Sequence, residues 1–229
     1  MPANPRTKAV VFDAYGTLLD VAGAARAAAA EPGGERLTGL WPKLAEDWRA
    51  KQLSYTWLRS LMGLHADFAH VTADALDWAL DRHGVADPPL RERLLSLYDC
   101  LPTYPEVPAV LETLHARGLP TAILSNGTPA MLAAATDAAG ITSRIGTILS
   151  VESLGIYKPH PSVYALATRR FDCAAHEVLF VSANGWDIAG AAAFGFRTAW
   201  VNRAGHPEDR LPACPLHTLP DLAGIPDLA

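Results

Sequence analysis

The chain has 229 residues, half of them hydrophobic and 19% charged, with a formal net charge of -5 and a pI of about 5.9. That length buries a sizeable core in one or two domains. The mild acidity, with Lys and Arg scattered along the chain, excludes a basic footprint for nucleic acid.

In chain order, the first predicted strand is the apolar run 9–12, which ends in Asp13 and the turn Ala14-Tyr15-Gly16-Thr17. A short, wholly apolar run reads as a parallel strand buried on both faces. It carries Asp13 to the carboxyl end of the sheet, where ligands of such sheets bind. From Asp20 to Tyr104 no strand is predicted. Helical patterns cover 40–52, 55–64, 73–82 and 90–101, with Gly33-Gly34 and the Pro-rich 101–105 as turning segments near the edges.

Strands and helices then alternate. Strands are predicted at 121–124, running into Ser125-Asn126-Gly127, at 146–150, at 178–181, running into Ser182-Ala183-Asn184, and at 197–201. Helices are predicted at 107–117, 129–139, 162–170 and 188–194. Glycines 118, 140 and 195 stand just past helix ends, where a left-handed cap is favoured. From Gly205 onward the chain is rich in Pro and Leu, and no element is predicted. The alternation predicts an α/β fold: a doubly wound parallel (Rossmann-like) sheet core of residues 1–20 and 103–229. An inserted helical cap subdomain, residues 21–102, would lie over the carboxyl end of the sheet.

The three cysteines, Cys100, Cys173 and Cys214, form no CxxC pair and no metal-ligand spacing, so they are expected to be buried, unreactive thiols in a reducing compartment. Residues 1–8 and the short run after them match neither a signal peptide nor a membrane span, so a soluble, cytoplasmic protein is expected. The eight histidines show no catalytic spacing, and His65 and His70 are expected at the surface.

Four sheet-end positions line up in this topology: Asp13, Ser125-Asn126, Lys158 in Tyr157-Lys158-Pro159, and Ser182 to Asp187. A lysine about 4 Å from a carboxylate gains roughly 4 kcal/mol at an effective dielectric of 20. Burial strips water from the carboxylate and raises its nucleophilicity. Asp13 is therefore the candidate nucleophile, with Thr17 and the amides of its turn as further donors.

The motifs Asp13-Ala14-Tyr15-Gly16-Thr17, Ser125-Asn126-Gly127, Lys158-Pro159 and the late Asp187, in that order, resemble the haloacid dehalogenase superfamily over nearly the whole chain. Trp48-Arg49, Lys51-Gln52-Leu53, the run 55–62 and the run 180–187 are similar to its L-2-haloacid dehalogenase branch. Most members of the superfamily are magnesium-dependent phosphatases, which place a general-acid aspartate two positions after the nucleophile and a carboxylate pair in the last motif. Here Tyr15 holds the first position, and Ser182-Ala183 leaves Asp187 alone. Magnesium favours several hard oxygen ligands in octahedral array, so no metal and no cofactor are expected.

The resemblance implies that Asp13 displaces halide from C2 of a short 2-haloalkanoate, inverting C2, and that water then frees the 2-hydroxy acid from the ester. It implies Arg49 and Asn126 at the leaving halide, and Ser125 with the amides of Ala14 and Tyr15 at the substrate carboxylate. Lys158 and Thr17 would steady Asp13, while Tyr164 and Ser182 orient Lys158 and Asp187. Asp187 would activate the water that Asn184 places. Tyr15, Leu53, Phe68 and Trp186 would form an apolar wall that keeps competing water from C2. A homodimer is implied, with the 2-haloacid and halide as partners and neither nucleic acid nor a membrane.

Ala50 replaces a Gln common after the arginine in these enzymes, and Ala14 and Ala183 replace the commoner Leu and Ser. Ala50 leaves open a strained-ring substrate such as azetidine-2-carboxylate, attacked by the same Asp13. Two rival readings stand beside these: a magnesium-dependent phosphatase of the same fold, and a binding protein on a catalytically dead scaffold.

Overall fold

A computed structural model of the chain describes residues 7–23, 26 and 35–229, with side chains of 35–38 excepted. Gly33-Gly34 and residues 1–6 lie outside these. β1 (Ala9–Phe12) is fully buried, as its uniformly apolar sequence demands. It pairs in parallel with β2 (Thr121–Ser125) on one side and β4 (Val178–Ser182) on the other, placing Phe12 opposite Ile123 and Val181. With β3 (Thr147–Ser150), β5 (Arg197–Val201) and β6 (His217–Leu219), they form one parallel sheet of order β3-β2-β1-β4-β5-β6. The chain winds outward from β1 to β3, then crosses back and winds outward from β4. The carboxyl ends of β1 and β4 therefore flank the topological switch point, where such sheets bind ligands.

The insert leaves and re-enters the core through two adjoining segments. The Asp20 amide donates to the Pro102 carbonyl (2.8 Å) and the Tyr104 amide to the Leu18 carbonyl (3.2 Å). Between them run α1 (Glu35–Met62), α2 (Phe68–Arg82) and α3 (Pro88–Ser96). The sequence pattern predicts two helices where α1 is a single 28-residue helix. Residues 51–54 hold no Gly or Pro to stop it, and Trp48, Gln52 and Thr56, four apart, stay on one buried stripe. Pro42 lies inside α1 without ending it. α2 starts five residues before the predicted Ala73, because Asp67 caps it by accepting the His70 amide (2.7 Å). The last predicted helix of the insert ends at Ser96, and a 3₁₀ turn (Leu97–Asp99) follows.

α4 (Val107–Ala116), α5 (Pro129–Ala138), α6 (Pro161–Phe171) and α7 (Gly185–Phe194) alternate with the strands within a few residues of their predicted ranges. The tail, which carries no element signal in the sequence, adds β6 and α8 (Ile225–Leu228). The segment after β5 also tightens the site from behind: Arg203 pairs with Glu106 (2.6 Å), covers the Tyr104 ring (3.7 Å) and donates to the Thr17 carbonyl (3.4 Å). His65 and His70 are exposed as expected. The thiols are not all buried: Cys100 and Cys214 are exposed and Cys173 is half-buried. Cys100 follows the 3₁₀ turn and Cys214 lies in the loop before β6, positions outside the apolar runs that fill the core.

Candidate active site

The turn after β1 can form because Gly16 takes φ +83, a left-handed conformation that costs a side-chain-bearing residue strain. This lets Thr17 fold back on the end of β1. Its hydroxyl donates to Asp13 Oδ2 (3.1 Å) and accepts the Ala183 amide (2.9 Å), joining the ends of β1 and β4. Asn184 Nδ2 donates to the same Asp13 oxygen (2.9 Å). Lys158, delivered ahead of α6, places Nζ 3.1 Å from Asp13 Oδ1 and 2.8 Å from Asp187 Oδ2. Tyr164 on α6 donates to Asp187 Oδ1 (2.8 Å). Gly190 makes that approach possible, since a Cβ there would lie 2.5 Å from the Tyr164 hydroxyl.

Asp13, Lys158 and Asp187 are all buried, Asp187 completely. Burial favours the neutral form of each, and a buried charge survives only when paired. Burial works against the Lys158 ammonium, but Asp13 and Asp187 outweigh it and raise its pKa above the ordinary lysine value. Burial lifts the Asp187 carboxyl to about 6, with the Asp13 charge adding to the rise and Lys158 opposing it. Burial, reinforced by Asp187, also pushes the Tyr164 phenol well up, so it serves as a donor. One ammonium thus bridges two carboxylates at the switch point. Among the described residues no three His, Cys, Asp or Glu side chains converge as metal ligands.

The insert closes over this cluster. Arg49 on α1 reaches across to Asn184 Oδ1 (3.3 Å) and donates its other terminal nitrogen to Gln52 Oε1 (2.8 Å). A cleft of about 300 Å³ opens beside them, lined by Tyr15, Trp41, Trp48, Arg49, Tyr98 and Asn184 among others. Tyr15 is buried with its phenol pushed up by that burial, and it stacks on Phe68 (5.9 Å) and against Tyr98 (5.4 Å).

The structure brings together Asp13, Thr17, Lys158, Tyr164, Asn184, Asp187 and, from the insert, Arg49. Tyr15 lines the cleft beside them, and the structure places the remaining residues differently. Ser182 Oγ accepts the Asn184 amide (3.1 Å); neither Lys158 nor Asp187 is its partner, so it orients Asn184. Asn126 Oδ1 accepts the Lys158 amide (3.1 Å), tying it to the lysine's backbone; no bond links it to Arg49. Ser125 Oγ accepts the Gly127 amide (3.1 Å). Ala14, Leu53, Phe68 and Trp186 do not line the cleft; Phe68 backs Tyr15, and Trp186 turns edge-on to Trp57 of α1 (5.5 Å). Sequence reasoning gave no role to Gln52, Tyr98, Trp48 and Trp41, although Trp48 and Gln52 stand in the runs that carry the resemblance. Only Gln52 carried a local signal, three residues after Arg49 and so beside it on the helix surface.

Sheet order and switch-point cluster together define a doubly wound α/β protein with a lysine-bridged pair of aspartates at its ligand-binding end. The sequence model of the haloacid dehalogenase-like hydrolases matches residues 7–195, and the chain belongs to that family. It is similar to (S)-2-haloacid dehalogenase 1 of Pseudomonas sp. (strain CBS-3), 45% identical over 224 residues that cover 96% of each protein. A crystal structure of a dehalogenase with an intermediate complex superposes with a TM-score of 0.92 at 39% identity, covering 98% of this chain and 97% of that one. The L-2-haloacid dehalogenase of Xanthobacter autotrophicus with chloropropionic acid covalently bound superposes with a TM-score of 0.85 at 38% identity, covering 97% and 98%.

Proposed function

We propose that this protein is an (S)-2-haloacid dehalogenase that hydrolyses short L-2-haloalkanoic acids to 2-hydroxy acids through an ester on Asp13, without a metal. The observation that carries this reading is the bridging position of Lys158 Nζ between Asp13 and Asp187. It keeps Asp13 paired and ionised as a nucleophile, and Tyr15 and Ser182-Ala183 stand where a phosphatase of this superfamily would carry its general acid and a metal-binding carboxylate.

An Asp13 carboxylate oxygen attacks C2 in line; the carbon–halogen bond breaks, and halide leaves with the bonding pair toward Arg49. Preorganised donors at developing charge supply much of an enzyme's advantage. The amide of Tyr15, which lines the cleft, receives the substrate carboxylate, and the Tyr15–Phe68–Tyr98 aromatic stack keeps C2 dry. Water held by Asn184 then attacks Cγ of Asp13 and yields its proton to Asp187. The expelled 2-hydroxy alkoxide is reprotonated, and one net proton leaves with the halide. Residues 1–20 with 103–229 act as the core, and 21–102 as the cap that delivers Arg49.

The reading also places the protein in the cytoplasm as a homodimer. Three unpaired cysteines suit a reducing compartment. Leu58, Leu61, Met62 and Leu64 at the end of α1 leave an apolar surface for a second copy. No helix of the described residues is long and apolar enough to cross a membrane.

The test is incubation with L-2-chloropropionate in the presence of EDTA. Stoichiometric chloride and D-lactate are expected. Absence of chloride, with magnesium-dependent phosphate release from a phosphomonoester, would replace the reading with a phosphatase.

A further inference from the structure

Arg49 is held by a chain of hydrogen bonds whose direction is fixed at its far end. Thr72 on α2 donates its one hydroxyl hydrogen to the Phe68 carbonyl (2.6 Å), so toward Gln52 it can only accept. That turns Gln52 Nε2 to Thr72 (2.7 Å) and to the Tyr98 hydroxyl (3.2 Å). Gln52 Oε1 is thereby left facing Arg49, which donates to it at 2.8 Å. The other terminal nitrogen of Arg49 meets Asn184 Oδ1 (3.3 Å), and Asn184 Nδ2 reaches Asp13 Oδ2 (2.9 Å). Gln52 is fully buried, with both ends of its amide engaged.

We infer that Gln52 is a positioning residue that aims the Arg49 guanidinium at the departing halide while leaving its positive charge available. The inference rests on the dehalogenase reading above. Two physical requirements meet at this residue. An arginine side chain with several rotatable bonds needs a fixed acceptor to hold one geometry at a site where a small misplacement is costly. The acceptor must also be neutral. A carboxylate at position 52 would hold the guanidinium equally well but would compete with the halide for its charge. A neutral amide, itself oriented by Thr72 and Tyr98, supplies the geometry without that competition. Position 52 therefore acts on halide departure through Arg49 and has no direct contact with substrate.

The test uses the full chain and compares kcat/KM for L-2-chloropropionate and L-2-bromopropionate, a ratio that reports steps up to and including loss of halide. Gln52→Met removes the acceptor; Gln52→Glu keeps the shape and adds the competing charge. Both variants are expected to lower kcat/KM for the chloro substrate roughly 10- to 100-fold, the range of one hydrogen bond to a charged group. The bromo substrate should lose several-fold less, because bromide leaves with less help. In an Arg49→Lys background Gln52→Met should add little, as groups acting through one another are not additive. Equal losses on both halides, or full additivity with Arg49→Lys, would overturn the inference. If Gln52→Met fails to fold by circular dichroism, the isosteric Gln52→Glu carries the same comparison. A wild-type chain that releases neither halide overturns the dehalogenase reading, and this inference with it.

Discussion

At the scale of single residues, the site is governed by how three buried charges share partners. Surface ion pairs such as Lys8–Glu177, half exposed on the lysine side, contribute at most about 1 kcal/mol. Removing one partner of a buried pair costs roughly 3–5 kcal/mol, because the other charge is left uncompensated. Burial lifts the Asp187 carboxyl into the range where it titrates near neutrality. With its carboxyl near 6, the carboxylate proposed to accept the water's proton exists above that pH and disappears below it. Turnover is therefore expected to fall with unit slope as pH drops through about 6. Tyr164→Phe deletes a hydrogen bond that favours the carboxylate, so the acid limb should move to higher pH. A kcat profile without an acid limb near 6, or one that Tyr164→Phe moves to lower pH, contradicts the role given to Asp187.

At the scale of elements, the placement of the inserted helices decides whether Arg49 reaches the sheet. The core holds the start of α2 through Glu152, which follows β3. Its carboxylate accepts the Phe68 amide (3.2 Å) and meets His65 Nε2 (3.1 Å). Tyr157 adds two more ties: its amide donates to Ser60 Oγ (3.1 Å) and its hydroxyl to the Ala66 carbonyl (2.5 Å). Glu152→Ala should raise amide exchange at Phe68 roughly tenfold or more, the equivalent of one hydrogen bond to a charged acceptor, and leave exchange in β1 unchanged. Unaltered exchange at Phe68 would show that Tyr157 alone fixes the junction. The elements are unequally legible in the sequence. β1 to β5 can be read to within a residue or so at each end because buried parallel strands are near-continuous apolar runs, most of them ended by Ser, Asn or Asp. β6 cannot, because His217-Thr218-Leu219 has no apolar alternation and exists through pairing with β5. α1 reads as two helices because its weak amphipathicity across 51–54 hides a stripe that only packing on α2 reveals.

At the scale of the whole molecule, the same asymmetry explains what is readable of the site. Asp13, Thr17, Lys158, Asn184 and Asp187 sit at strand or helix ends of a repeating βα pattern, so the pattern assigns them to one end of the sheet. Arg49 is found through resemblance. Gln52, Tyr98 and Trp48 escape because helical periodicity says which face of α1 is buried and nothing about where α1 sits over the sheet. The proposed homodimer would use the exposed end of α1, where Leu61 is 84% exposed with Met62 and Leu64 beside it. Leu61→Glu should shift the sedimenting species from dimer to monomer with an unchanged far-ultraviolet spectrum; a wild-type chain that sediments as a monomer at micromolar concentration would remove the dimer from the proposal.

The nucleophile is tested most directly by a single turnover of L-2-chloropropionate in oxygen-18 water, with excess enzyme, followed by mass analysis of the peptide that contains Asp13. The ester route puts the solvent oxygen on Asp13 and leaves the lactate hydroxyl unlabelled, so the peptide should gain about two mass units, the difference between the oxygen isotopes carried into the carboxylate by attack at Cγ. Label in the lactate hydroxyl with an unlabelled Asp13 peptide would mean that water attacks C2 directly, and Asp13 would then be no nucleophile.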